Sequence, residues 1–194
     1  PSVQPLFFVK RGAFVNNLGE EIKDWIVSIV IAVVLAMIIR NFLVEPYLVD
    51  GPSMMPTLQN QQRLVVNRLI YRLREPEKGE ILIFQYPKDP SRDFIKRVIA
   101  VPGDTIEIKD GNVFVNDELQ TEDYILSKCR GDYPRVKIPE GHIFVMGDNR
   151  NNSEDSRFPD VGFVPHKLVK GRALVCFWPL GSMRTIKADT GMGK

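Results

Sequence analysis

Thr105-Ile106-Glu107-Ile108-Lys109-Asp110-Gly111-Asn112-Val113-Phe114-Val115 alternates polar and apolar side chains as far as Asp110-Gly111, then becomes apolar again. Asp-Gly suits the positive φ angles of a tight turn, so the stretch predicts a β-hairpin. Working outward, short apolar runs bounded by Gly, Pro, Asn or Asp cover Arg63 to Asn67, Glu80 to Tyr86, Phe94 to Val101, His142 to Met146 and Ala173 to Phe177. The hairpin's own arms lie at Thr105 to Lys109 and Val113 to Asn116. All have the length of strands. With 14 Gly and 14 Pro in 194 residues, the chain is expected to be mainly β and rich in turns. Gln120 to Pro139, which contains Cys129-Arg130-Gly131-Asp132-Tyr133-Pro134, has no sustained period and reads as a loop-rich excursion near 120–139.

Charge and cysteine content exclude several functions. The 26 Lys+Arg nearly balance the 24 Asp+Glu, leaving a formal charge of +2, too little for a protein that binds nucleic acid by neutralising phosphates. The two cysteines, Cys129 and Cys176, are not in a C-x-x-C pair, so neither a metal site nor a cofactor is expected. Pairing between them stays open.

A local shift interrupts this average. Trp25 to Ile39, WIVSIVIAVVLAMII, has no charge over fifteen residues, which span ~22 Å as a helix. Carried through Arg40-Asn41 to Phe42-Leu43-Val44, the run reaches ~30 Å, the thickness of a bilayer core, with Arg40 snorkelling to the interface. A buried core helix or strand is the rival reading. No A-x-A-like site follows, so the segment is expected to persist as an anchor. Glu45-Pro46 stops the helix. The expected divisions are a cytoplasmic tail at 1–21, a transmembrane anchor at 22–44, a β-rich domain at 45–186 and a C-terminal tail at 187–194.

Chemistry concentrates in three places. The first is Val49-Asp50-Gly51-Pro52-Ser53-Met54-Met55-Pro56-Thr57-Leu58, where Gly and Pro hold a serine on an irregular segment. Such a backbone can present a hydroxyl and a neighbouring N–H together. On composition alone a serine in an ordinary turn is the more common case, and no G-x-S-x-G elbow is present. The second is Lys96, inside Phe94-Ile95-Lys96-Arg97-Val98-Ile99-Ala100-Val101, whose two faces are both largely apolar. Burial there would lower the lysine pKa and leave a neutral base, whereas a snorkelling edge lysine would stay charged. The third is the polar loop Met146-Gly147-Asp148-Asn149-Arg150-Asn151-Asn152-Ser153-Glu154-Asp155-Ser156-Arg157, read either as a rigid hydrogen-bonded network or as a solvated loop. His142 and His166 have no spacing that suggests a triad.

Taken in order, Gly51 to Leu58, Tyr86-Pro87, Ile95 to Asp104 and Gly147 to Arg157 resemble the sequence boxes of bacterial type I signal peptidases, from about Glu20 to Pro179. The resemblance implies an antiparallel β-sheet catalytic domain on one N-terminal transmembrane helix, and a Ser/Lys dyad that removes signal peptides after small residues. It implies Ser53 as nucleophile, Lys96 as general base and Ser153 as the serine that orients the lysine. It further implies Asp148 with Arg97, and Asp155 with Arg157, as structural pairs, and the Ser53 N–H as an oxyanion donor. Relatives with a serine two residues before the nucleophile use it as a second donor; here that residue is Gly51. Tyr47, Val49, Met54, Phe94 and Ile95 are expected to line the substrate pockets. The partners implied are exported preproteins, membrane lipid and the protein-export machinery, with the catalytic domain outside the plasma membrane, or in a thylakoid. A self-cleaving Ser/Lys regulator would need a DNA-reading module, and an inactive binding subunit would lack Ser53 or Lys96.

Overall fold

The computed structural model describes residues 13–38 and 44–189, and the chain divides into two compact units, residues 1–41 and 42–194. The first contributes helix α1 (Ala13–Ile38). Ile22, Trp25, Ile26 and Ile29 through Met37 include a series of exposed large apolar side chains on it. Among the described residues no helix is long and apolar enough to cross a membrane. The physical reason is length: the uncharged part of α1 is Trp25 to Ile38, fourteen residues or about 21 Å, preceded at once by Lys23-Asp24. Residues 39–43 of the expected span lie outside the described residues. Val44, also assigned to that span, is instead a strand residue opposite Asn67.

The second unit is built from β1 (Val44–Leu48), β2 (Arg63–Asn67), the single-turn helix α2 (Ile70–Leu73), β3 (Ile81–Tyr86), β4 (Asp89–Ala100), β5 (Thr105–Lys109), β6 (Asn112–Val115), β7 (Glu118–Leu119), β8 (Tyr133–Lys137), β9 (His142–Met146), β10 (Val164–Pro165), β11 (Val169–Trp178) and β12 (Arg184–Thr185). One sheet runs β1-β2-β11-β3-β4-β9-β10, with β12 on β11, and a smaller one runs β7-β6-β5-β8. Every pairing in both is antiparallel. The β5–β6 turn is the one expected, with Asp110 and Gly111 at φ of 51° and 73°.

The excursion near 120–139 is not all loop. It contains β8, which pairs with β5, while Cys129, Tyr133, Val136 and Ile138 cover the apolar face of the small sheet. Pro134 hides this strand from a pattern search, and it is tolerated because β8 is the sheet's edge. β1, with Pro46, and β10, with Pro165, escape notice for the same reason and are also edges.

β4 links the two sheets. Its outer half, Asp89 to Asp93, is largely exposed, whereas Arg97 to Ala100 are buried between β3 and β9. Lys96 lies opposite Leu82 and Arg97 opposite Ile81. This long strand therefore carries two cations into an apolar interior. Cys176 belongs to the cluster around Leu64, Val66 and Ile83, and Cys129 to the one around Ile106, Val115 and Phe144; both thiols are free and buried.

Candidate active site

The segment between β1 and β2 is closed at its base by Val49 N–H to Gln62 O (2.8 Å) and Gln61 N–H to Val49 O (2.9 Å). Met54 and Leu58, both fully buried, anchor it on the core. Met54 thus does not line a substrate pocket as expected; next to an outward-facing Ser53, its side chain points into the protein. Gly51, at φ of 93°, gives its N–H to Asn60 Oδ1 at 3.0 Å, which removes that donor from the cleft. The Ser53 N–H has no partner among the described residues.

Asn149 holds the serine's turn from the far side. Its backbone N–H donates to Ser53 O at 3.0 Å and its side-chain amide to Pro52 O at 3.1 Å. Gly147 lies equally close: a Cβ there would come 2.5 Å from Ser53 O and 2.6 Å from Ser153 Cβ. Only glycine allows this approach of the two loops.

Ser53 Oγ and Lys96 Nζ are hydrogen-bonded at 2.9 Å. Lys96 is 4% exposed. Burial penalises its charged form and pushes its pKa down from 10.5 to about 8, against the opposing pull of Asp155, Glu154 and Asp148. Phe94 contributes to that dry environment, with its ring centre 5.1 Å from Nζ. Tyr86 stacks on Phe94 at 4.5 Å, and Arg92 lies over both rings.

The polar loop 147–157 is a network rather than a solvated coil. Arg97 grips Asp148 with two hydrogen bonds of 2.9 and 2.7 Å, both side chains almost wholly buried. The other face of Arg97 rests on Tyr124, 3.9 Å from the ring centre. Asp155 accepts from Arg157 Nε and a terminal guanidinium nitrogen (2.8 Å each), from Gly147 N–H (3.0 Å) and from Ser153 Oγ–H (2.8 Å). Ser153 thus donates its proton to Asp155, and among the described residues no hydrogen bond joins Ser153 to Lys96. Of the charges acting on the Lys96 amine, that of Asp155 is the largest.

A cleft of about 440 Å³ opens onto Ser53 and Lys96, with Tyr47 to Ser53 on one wall and Arg92 to Lys96 on the other. Of the five expected pocket residues it brings together Tyr47, Val49, Phe94 and Ile95. The histidines stand apart: His142 Nδ1 meets Glu140 O and His166 faces Glu75. Sequence reading assigned no role to Asn149, nor to Glu122, which bonds Arg150 at 2.7 and 2.6 Å and so ties the small sheet's loop to the polar loop 147–157. A lone acid in an aperiodic segment carries no signal for such a role. No group of His, Cys, Asp and Glu able to hold a metal ion occurs among the described residues.

Chemically, this is a hydroxyl facing a buried amine of depressed pKa, beside an unused backbone N–H, at the floor of a groove. Residues 22–178 match the family model described as signal peptidase, peptidase S26. A probable signal peptidase I-2 from Synechocystis sp. is 44% identical over 168 residues, covering 84% of this chain and 76% of that one. Signal peptidase I from Bacillus licheniformis is 39% identical over 179 residues, covering 87% and 95%. A crystal structure of a signal peptidase I from Enterococcus faecalis is 30% identical with a TM-score of 0.46, covering 51% of this chain and 97% of that one.

Proposed function

The chain belongs to the signal peptidase family, peptidase S26, and is a serine peptidase of the type that removes signal peptides; from this premise we propose that Ser53 and Lys96 form its catalytic dyad. The observation that carries the reading is the 2.9 Å hydrogen bond between Ser53 Oγ and a lysine that is 4% exposed. A neutral amine accepts the hydroxyl proton as Oγ attacks the scissile carbonyl carbon. The developing oxyanion takes the Ser53 N–H. The ammonium then returns its proton to the leaving amine as the C–N bond breaks, giving an ester on Ser53 and a free mature N-terminus. Water, deprotonated by the same lysine, attacks the ester and releases the signal peptide.

The substrate backbone lies in the cleft as an added strand, with small side chains at the first and third positions before the cut directed toward Tyr47, Val49, Phe94 and Ile95. Asp148 with Arg97, and Asp155 with Arg157, hold the reacting groups in place, and Ser153 acts through Asp155. The N-terminal segment anchors the enzyme in the plasma or thylakoid membrane as a single span, with the catalytic unit on the side where preproteins emerge. Membrane lipid and the export machinery are its neighbours there.

The test is cleavage of a preprotein by the detergent-solubilised full chain, compared with Ser53→Ala and Lys96→Ala. Both variants are expected to lose cleavage while keeping the wild-type circular dichroism. Cleavage at the wild-type rate by either one removes the dyad.

A further inference from the structure

The cleft continues past the dyad. Glu154 forms part of its wall and is also part of a second groove, of about 530 Å³, whose border includes Asn152, Ser153, Phe158 and Asp160. A peptide that lies across Ser53 and leaves the first cleft beside Lys96 passes Glu154, the wall shared by the two grooves. We infer that the second groove holds the residues following the scissile bond and that Glu154 makes it select basic over acidic side chains there. The inference rests on the dyad reading, since the position of the cut defines which residues follow it.

The charges support one sign. Glu154 is exposed; its Oε1 accepts from Tyr86 Oη at 2.8 Å, and its other oxygen makes no hydrogen bond or ion pair among the described residues. Asp160, the other acid on the border, is paired with Lys88 at 2.8 Å. Glu154 is therefore the acid on the border that is not engaged in an ion pair among the described residues. Tyr86 fixes where it points, because the Tyr86 ring is itself stacked on Phe94 in the wall of the first cleft. The apolar partner is Phe158, which is 48% exposed and can take the methylene stem of a lysine while the ammonium reaches Glu154.

Two peptides carrying the same cleavage site, and differing only in Lys or Glu at the second residue after the cut, test this with the full chain in detergent. Wild type should favour the Lys peptide in kcat/KM by about threefold or more, the range of a partly exposed charge pair, and added salt should erode the preference. Glu154→Gln keeps an acceptor for Tyr86 and should abolish the preference; Glu154→Lys should invert it. Replacing Lys88 and Asp160 together, Lys88→Met with Asp160→Asn, removes that pair without changing the net charge and should retain the preference. Equal kcat/KM for the two peptides in wild type, or a preference that survives Glu154→Gln, overturns the groove assignment. Cleavage by Ser53→Ala strikes at the dyad instead, so the two failures are separable.

Discussion

Replacing Lys96 with methionine should abolish cleavage and, near neutral pH, stabilise the folded chain. The amine is held at a pKa of about 8 against 10.5 when exposed, mainly by burial. At about 1.4 kcal/mol for each pH unit, keeping Lys96 charged costs the folded state about 3 kcal/mol. Below about pH 8 the lysine is protonated in both folded and unfolded chains, and the full cost applies. Above 10.5 it is neutral in both and the cost vanishes. Between these limits the unfolded chain binds more protons, so wild-type stability rises with pH. Methionine fills a similar volume, carries no proton and lacks this dependence. It also forfeits the Ser53 hydrogen bond, about 1 kcal/mol, so the decisive quantity is how the difference changes with pH rather than its value at one pH. Urea denaturation of both proteins in detergent, followed by circular dichroism from about pH 7 to about pH 10.5, measures it. The advantage of Lys96→Met should shrink by about 3 kcal/mol across that range. A difference that stays level would refute the claim that burial has made this amine a base.

The cleavage rate of the wild type should rise with pH through about 8, as Lys96 loses its proton, and then level off, read from kcat over the alkaline range; a flat profile contradicts the lysine's role as base. Asp148→Asn leaves Arg97 as a buried cation without its carboxylate and should cost ~3 to 5 kcal/mol in urea denaturation, with partial unfolding at growth temperature. Glu122→Gln breaks the bidentate grip on Arg150, which is also nearly fully buried, and should lower Tm by several degrees. Gly147→Ala forces a methyl against Ser53 O and Ser153 and should reduce kcat at least tenfold, with KM nearly unchanged.

The β5–β6 hairpin was legible because Asp110-Gly111 states its own backbone geometry and the alternation on either side states its faces. The central strands were legible for a related reason: a run such as Ile81-Leu82-Ile83-Phe84 has to be buried on both sides. The edge strands β1, β8 and β10 were not. Each holds a proline and is short, with too few buried side chains to form a pattern. In the site, Ser53 and Lys96 stood out as residue types in unusual settings, but their approach spans 43 residues and depends on long-range packing of the loop after β1 against β4, which no local signal encodes. Met54 misled because a residue next to an outward-facing serine need not share its direction. Ser153 was placed in the right loop, but its hydrogen bond to Asp155 was not foreseen, since motif order does not show which polar neighbours a hydroxyl meets.

The two unlinked sulfhydryls sit in separate hydrophobic clusters, one beneath each sheet. Each is therefore a chemical reporter for its own half of the catalytic unit. Under a thiol-specific dye, Cys176 becomes reactive when the large sheet opens and Cys129 when the small sheet lifts away, so the order of modification under mild denaturant reveals whether the halves come apart in one cooperative event or in sequence.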